Sequence, residues 1–225
     1  MKFPFERNKF FTIGELRAFE NELTSIRQSN PALSKNWRVP KGKIVAWDKI
    51  RQETYPLKLF ADHSRLSNEA KFRLSPAGHP SPVDVELLVS DERRLLQITT
   101  AHPVRDGSVS GGYDHRLRME GLNKGPVQGF GPFVRRDGKI IGSQSGTTPV
   151  DDLAACVRGL SVVLRRKQGQ DGRGCELVIF ACNFHFNSID VGFEMIVHTT
   201  INACGRPRFD RTFVFDESPL TFVEI

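Results

Sequence analysis

The sequence lacks the long apolar runs that membrane-spanning and secreted chains need. None of its apolar stretches approaches the roughly 18 residues that a membrane helix requires. Residues 1–7 contain no apolar core of a secretion signal. With 39% hydrophobic and 26% charged residues, the composition is that of a globular protein. We therefore expect a cytoplasmic protein without a membrane partner.

Cysteine is also scarce. Its four residues form no Cys-x-x-Cys pair and have no histidine at zinc-finger spacing, so we expect reduced thiols rather than a structural zinc site. The serine-hydrolase pattern Gly-x-Ser-x-Gly and the nucleotide-binding pattern Gly-x-x-x-x-Gly-Lys-(Ser/Thr) are both missing. These gaps argue against three common classes of site, whereas the formal net charge of +6 permits a polyanionic partner.

What the sequence does contain is a pair of strands with one polar face. Residues 83–90 and 94–101 alternate polar and apolar side chains on either side of a short charged turn, which predicts a β-hairpin. One face carries branched apolar residues. The other carries Asp84, Glu86, Gln97 and Thr99.

The expected pairing of this hairpin brings the polar side chains together. If residues 91 and 92 form the tip, Asp84 lies opposite Thr99 and Glu86 lies opposite Gln97. A slip of two residues would keep the polar face intact, whereas a slip of one would not. Two acids and an amide at such spacing suffice for one Mg²⁺, which takes few protein ligands.

Patterns elsewhere predict an α/β chain with a mixed central sheet flanked by helices. We expect an N-terminal helical extension over 1–55 and an α/β domain over 56–225 that carries a long insertion at 102–150. The predicted helices are 14–28, 44–53, 56–74, 113–122, 149–166 and 188–203. The other predicted strands are 133–136, 139–141, 176–182, 211–215 and an edge at 221–225.

In this order of elements, and in a few residues, the chain resembles the PD-(D/E)XK nuclease superfamily. Asp84 matches the aspartate of the family motif, and Gln97-Ile98-Thr99 stands where the family has (Asp/Glu)-x-Lys. Glu69 would be the acidic residue of the first core helix. The resemblance implies a restriction-endonuclease-like core of αβββαβ type over roughly residues 57–183. It also implies a metal site on the strand meander.

The chain departs from the family motif at two positions. Gln97 replaces the usual acid, although an amide oxygen still coordinates a hard cation. Thr99 replaces the lysine and cannot supply a positive charge. Lys71, reaching in from the predicted helix, or His102, just past the second strand, would then assist the attacking water.

The resemblance implies phosphodiester hydrolysis of nucleic acid with Mg²⁺ or Mn²⁺, and it leaves a homodimer open. The metal ligands would be Asp84, Gln97, Glu69 and Glu86. The insertion would follow the nucleic-acid backbone. Its basic residues are Arg116, Arg118, Lys124, Arg135, Arg136 and Lys139. Two alternatives stay open: an inactive binding or regulatory module on the same fold, and an unrelated α/β protein.

Overall fold

A computed structural model describes residues 5–29, 44–76, 83–104, 133–136, 139–142, 149–181, 192–216 and 221–225. Within these ranges the helices are α1 (Ile13–Ser29), α2 (Ile44–His63), α3 (Pro149–Gln168) and α4 (Phe193–Cys204). The strands are β1 (Phe10–Thr12), β2 (Lys71–Leu74), β3 (Val85–Val89), β4 (Glu92–Ala101), β5 (Phe133–Arg136), β6 (Lys139–Gly142), β7 (Gly172–Ala181), β8 (Phe209–Asp216) and β9 (Phe222–Glu224).

Seven of these strands form one mixed sheet in the order β1-β2-β3-β4-β7-β8-β9. The pairs from β1 to β4 are antiparallel, β4, β7 and β8 run parallel, and β9 is antiparallel at the edge. Parallel neighbours need a crossover, and α3 lies between β4 and β7 in the chain. The predicted α/β class with a mixed sheet is therefore confirmed. The predicted hairpin of β5 and β6 also forms, as a separate two-stranded sheet.

Each face of the sheet is covered by a pair of helices. Leu57 and Phe60 of α2 pack with residues of α1 against one face. On the other face, Leu160 of α3 and Val197 of α4 pack against β7 and β8. Strand β7 is buried on both faces, as expected for a central strand with parallel neighbours, and its sequence is accordingly rich in apolar residues.

Two predictions near the first helices are wrong. Helix α2 runs continuously through Pro56, where a new helix was predicted to begin, so the expected boundary after residue 55 falls inside it. The stretch Lys71–Leu74 is strand β2 rather than the end of a helix, because burial alternates there between exposed and buried positions. The chain leaves the helix through a turn in which Arg65 has a φ of 50°. Residues 5–29 share the core of the sheet.

Other predictions concern cysteine and the membrane. Cys156 and Cys175 are buried, Cys204 is half-buried, and none of these three residues is in a disulfide, as predicted for those positions. No helix in the described part of the chain is both long and apolar enough to cross a membrane. The helix predicted at 113–122 lies outside the described residues.

Helix α3 approaches the end of β4 through a glycine. A Cβ placed at Gly159 would lie 2.0 Å from the carbonyl oxygen of His102. Two hydrogen bonds hold the same contact: the Val104 N–H donates to the Ala155 carbonyl (2.8 Å), and Arg158 Nε donates to the Val104 carbonyl (2.9 Å). This contact fixes the height of α3 above β4 and so determines which of its side chains reach the polar face of the hairpin.

We expect Gly159→Ala to lower the free energy of unfolding by about 3 kcal/mol, because the new methyl group meets rigid backbone. Urea denaturation of both proteins measures the change. Gly169→Ala is the matched control, since its Cβ would meet only the Arg166 carbonyl at 3.8 Å. Equal stability of the wild type and Gly159→Ala would contradict this account of the helix contact.

Candidate functional site

The hairpin of β3 and β4 has a different register from the predicted one. Val85 pairs with Leu96 and Glu86 with Leu95, which brings Asp84 beside Gln97 instead of Thr99. The reason lies in the turn. Ser90 and Asp91 both have positive φ (48° and 69°), which is the geometry of a two-residue hairpin turn one position earlier than expected. Because the slip is of two residues, the polar face stays together.

Asp84 immediately precedes β3, and β4 continues past it beyond the paired part of the hairpin. Its backbone N–H donates to the Leu96 carbonyl (2.9 Å), and its carbonyl accepts from the Ser75 N–H (2.8 Å). Its carboxylate oxygen Oδ2 accepts from the Ile98 N–H at 2.7 Å, so the side chain extends the ladder of hydrogen bonds by one position. The carboxylate is therefore held in a fixed place at the mouth of the hairpin.

Gln97 is the neighbouring polar residue on β4 and is only 6% exposed. In the part of the chain that the structure describes, its Oε1 is buried without a hydrogen-bond partner. A buried acceptor in this state costs roughly 1–3 kcal/mol. Such a group calls for an explanation, and a cation bound to the oxygen is one that fits.

The C-terminal end of α3 lies over this polar face. Arg166 Nη2 donates to Thr99 Oγ1 at 2.9 Å. The next residue, Lys167, is 6% exposed, and its Nζ donates to Gln170 Oε1 at 3.1 Å. Burial, together with the neighbouring charge of Arg166, lowers the pKa of Lys167 to about 8, although the nearby carboxylate of Asp84 acts to raise it. The buried lysine is therefore near enough to Asp84 for that carboxylate to act on its pKa.

Sequence reasoning missed Lys167. The run Arg165-Arg166-Lys167 ends a helix, where cationic side chains complement the helix dipole, so the sequence pattern indicates no further role for it. The deciding information is tertiary, because only the crossover from β4 through α3 to β7 places the end of this helix over the hairpin. Nothing in the sequence distinguishes the buried Lys167 from the exposed Arg165 and Arg166 beside it.

Two predicted site residues lie far from Asp84. Glu69 is exposed in a turn rather than on a helix. Lys71 opens strand β2 opposite Leu88, near the tip of the hairpin. Ser75, which bonds to Asp84, is four residues further along, a distance of about 13 Å along an extended strand. The structure therefore does not bring Glu69 or Lys71 to the other site residues.

Glu86 shares the polar face but is engaged by arginines. Its Oε1 lies 2.8 Å from Arg93 Nε, and its Oε2 contacts the guanidinium of Arg73. Both carboxylate oxygens thus have a cationic partner, which disfavours the predicted role of Glu86 as a metal ligand. In the described ranges, no group of three or more His, Cys, Asp or Glu residues is arranged to hold a metal ion.

His102 and the basic insertion complete the predicted set. The backbone of His102 packs on Gly159 of α3. Gly159 lies eight residues before Lys167, so His102 contacts the helix about 12 Å from the turn that carries Lys167. Arg116, Arg118 and Lys124 lie outside the described residues. Arg135, Arg136 and Lys139 lie on the β5–β6 hairpin, where the structure defines the backbone pairing alone.

The site thus consists of a fixed carboxylate, a buried amide oxygen, a hydroxyl and a buried amine, contributed by two strands and one helix. No protein-family model, curated protein or solved structure matches the chain. Its function is inferred from this geometry.

Proposed function

We propose that the protein is a nuclease-like phosphodiesterase that acts on nucleic acid with Mg²⁺ or Mn²⁺. The observation that carries the proposal is that Asp84 lies opposite Gln97 and that the end of α3, anchored by Arg166 on Thr99, brings Lys167 to the same face. An acid, an acceptor without a partner and a cation then lie together at the start of β3. These are the chemical types that a metal-assisted attack on a phosphodiester uses.

The order of elements supports a restriction-endonuclease-like core. Helix α2 is followed by the meander of β2, β3 and β4 and, after the separate β5–β6 hairpin, by α3 and β7. This is the αβββαβ order that the resemblance implies. Strand β2, which the sequence analysis assigned to a helix, supplies the first strand of the meander. Asp84 immediately precedes its second strand and Gln97 lies on its third, which are the positions at which the family motif is expected.

Asp84 and Gln97 fit a single hard cation. Mg²⁺ binds through one or two protein carboxylates or carbonyl oxygens and keeps several water molecules, so a small set of protein donors is sufficient. The buried Gln97 Oε1 would gain a partner on binding. A cation bound there would polarise the scissile phosphate and acidify a bound water.

Lys167 supplies the positive charge that Thr99 cannot. With a pKa of about 8 its amine is largely protonated at neutral pH, and it lies near the carboxylate of Asp84. In that place it would hold a phosphate oxygen and offset the charge that develops during attack. Arg166, anchored on the Thr99 hydroxyl, adds a second cation at the same edge of the helix.

A second candidate is a binding module that does not cut. It is favoured by Glu86, whose carboxylate is already neutralised by two arginines and therefore does not add to a metal cluster. Under this alternative Lys167, Arg166 and the arginines of the hairpin would hold nucleic acid without hydrolysis.

Incubation with labelled single-stranded, duplex and branched DNA and with RNA separates the two candidates. We expect cleavage in Mg²⁺ or Mn²⁺ and none in EDTA, because Lys167 and Arg166 would hold the phosphate but would not acidify the attacking water as a bound cation does. Gel electrophoresis of the products provides the readout. Binding without cleavage of any substrate would refute hydrolysis and support the binding module.

A further inference from the structure

A row of four side chains crosses the sheet beside Asp84. Phe10 pairs with Arg73, Arg73 with Glu86, and Glu86 with Leu95, so the four side chains point to the same face. The guanidinium of Arg73 lies 4.7 Å from the centroid of the Phe10 ring. Phe10 is one of the few large apolar side chains that are exposed in the described ranges.

A pocket of about 300 Å³ opens beside three members of this row, Arg73, Glu86 and Leu95, and its lining also includes Arg93 and Ser75. The side chain of Arg93 is 61% exposed and that of Arg73 is 37% exposed, whereas that of Glu86 is 12% exposed. The two guanidinium groups therefore reach solvent with the carboxylate behind them. Together the three charges leave one positive charge at the pocket, which favours an anion.

The pocket lies next to the proposed site. Glu86 is two residues along β3 from Asp84, a distance of about 7 Å. That distance matches the rise of about two stacked nucleotides in one strand. A strand with one phosphate near Asp84 and Lys167 would therefore bring another phosphate to the arginine pair.

We propose that this pocket binds a backbone phosphate of the same nucleic-acid strand, with the exposed Phe10 ring contacting an adjacent base. The inference rests on the proposed function, because it takes the polynucleotide near Asp84 as the occupant. Arg73 and Arg93 contact the phosphate through charge-assisted hydrogen bonds. Glu86 holds both guanidinium groups in place and, by its own charge, limits how tightly they bind.

The test is the affinity of a fluorescein-labelled single-stranded 12-mer, measured by anisotropy in EDTA so that no cleavage occurs. We expect Arg93→Gln to weaken binding about tenfold and to reduce the slope of log affinity against log salt by about 0.7, as loss of one phosphate contact does for single strands. Glu86→Gln should instead tighten binding several-fold, because it removes the competing charge and leaves both arginines.

Arg211→Gln and Glu224→Gln are the matched controls. This pair is also an arginine–glutamate ion pair with the arginine over a phenylalanine ring, but it lies on β8 and β9 at the other end of the sheet. Unchanged affinity in both controls, with opposite shifts in Arg93→Gln and Glu86→Gln, would support the pocket. Equal affinity in all variants, or weaker binding by Glu86→Gln, would overturn it.

Competition with inorganic phosphate distinguishes a strand from a free anion. We expect millimolar phosphate to displace the 12-mer no more than chloride of equal ionic strength does. Specific displacement would assign the pocket to free phosphate and overturn the strand proposal. Because the assay omits the metal, a shift in affinity without any cleavage in Mn²⁺ would refute hydrolysis but not the pocket. Cleavage with unchanged affinities would refute only the pocket.

Discussion

Replacing Lys167 by methionine is expected to stabilise the fold and to reduce cleavage at the same time. Lys167 is buried, and its pKa falls from 10.5 to about 8, so its protonated form destabilises the folded state at pH 7 by about 3 kcal/mol. Methionine has a similar length and carries no charge. The variant should gain up to that free energy of unfolding and lose about 100-fold in cleavage rate.

The lowered pKa of Lys167 also predicts how the free energy of unfolding changes with pH. Between about pH 8 and 10.5 the unfolded chain still binds the proton that the folded chain has lost, so the free energy of unfolding should rise across that range. The rise attributable to Lys167 should be absent in Lys167→Met. Urea denaturation of both proteins at pH 7 and pH 10 measures it.

Lys9→Met is the control, because Lys9 is an exposed lysine that pairs with Glu6 on the surface. It should change neither stability nor cleavage appreciably. Wild-type activity should also decline above about pH 8, as the amine of Lys167 loses its charge. Cleavage by Lys167→Met at the wild-type rate would show that the buried amine takes no part in the reaction.

Asp84→Asn is expected to lower metal-dependent cleavage by about 10² to 10³-fold with little loss of stability. The substitution removes the one carboxylate of the proposed donor set. The amide oxygen still accepts from the Ile98 N–H, so the end of the hairpin should keep its hydrogen bond at a cost of about 1 kcal/mol. Loss of the negative charge should also lower the pKa of Lys167 further, since Asp84 acts to raise it.

Asp171→Asn is the matched control for this variant. Asp171 is an exposed aspartate just before β7 whose carboxylate is already paired with Arg173. It should cleave at the wild-type rate. Undiminished cleavage by Asp84→Asn would show that the reaction does not take place at Asp84. An unfolded variant would show that Asp84 chiefly stabilises the end of the hairpin.

The sequence predicts local patterns well in this chain. The polar face of the hairpin follows from alternation with period two, and its members could be named without a structure. The register could not, because it depends on Ser90 and Asp91 adopting positive φ, which neither residue type requires. Here the physical cause is turn geometry rather than side-chain pattern.

Other features depend on tertiary structure. Leu66 and Ala70 continue the helical spacing of Leu59 and Phe60, but they are buried in the turn that follows α2. The spacing therefore predicts a longer helix and gives no indication of strand β2. Lys167 is separated from Asp84 by more than eighty residues in sequence, and only the packing of α3 over β4 brings them together. The sequence therefore predicts the site residues on the hairpin, whereas Lys167 on α3 can be assigned only from the tertiary structure.

Calorimetric titration of Mn²⁺ into the wild type and Asp84→Asn tests the central claim most directly. Each protein should be titrated both without nucleic acid and with an oligonucleotide whose linkages cannot be hydrolysed. We predict one site per chain in the wild type, at least with the oligonucleotide present, and its loss in Asp84→Asn. Equal binding by both proteins, or no binding by the wild type even with the oligonucleotide, would contradict a metal site at Asp84 and Gln97.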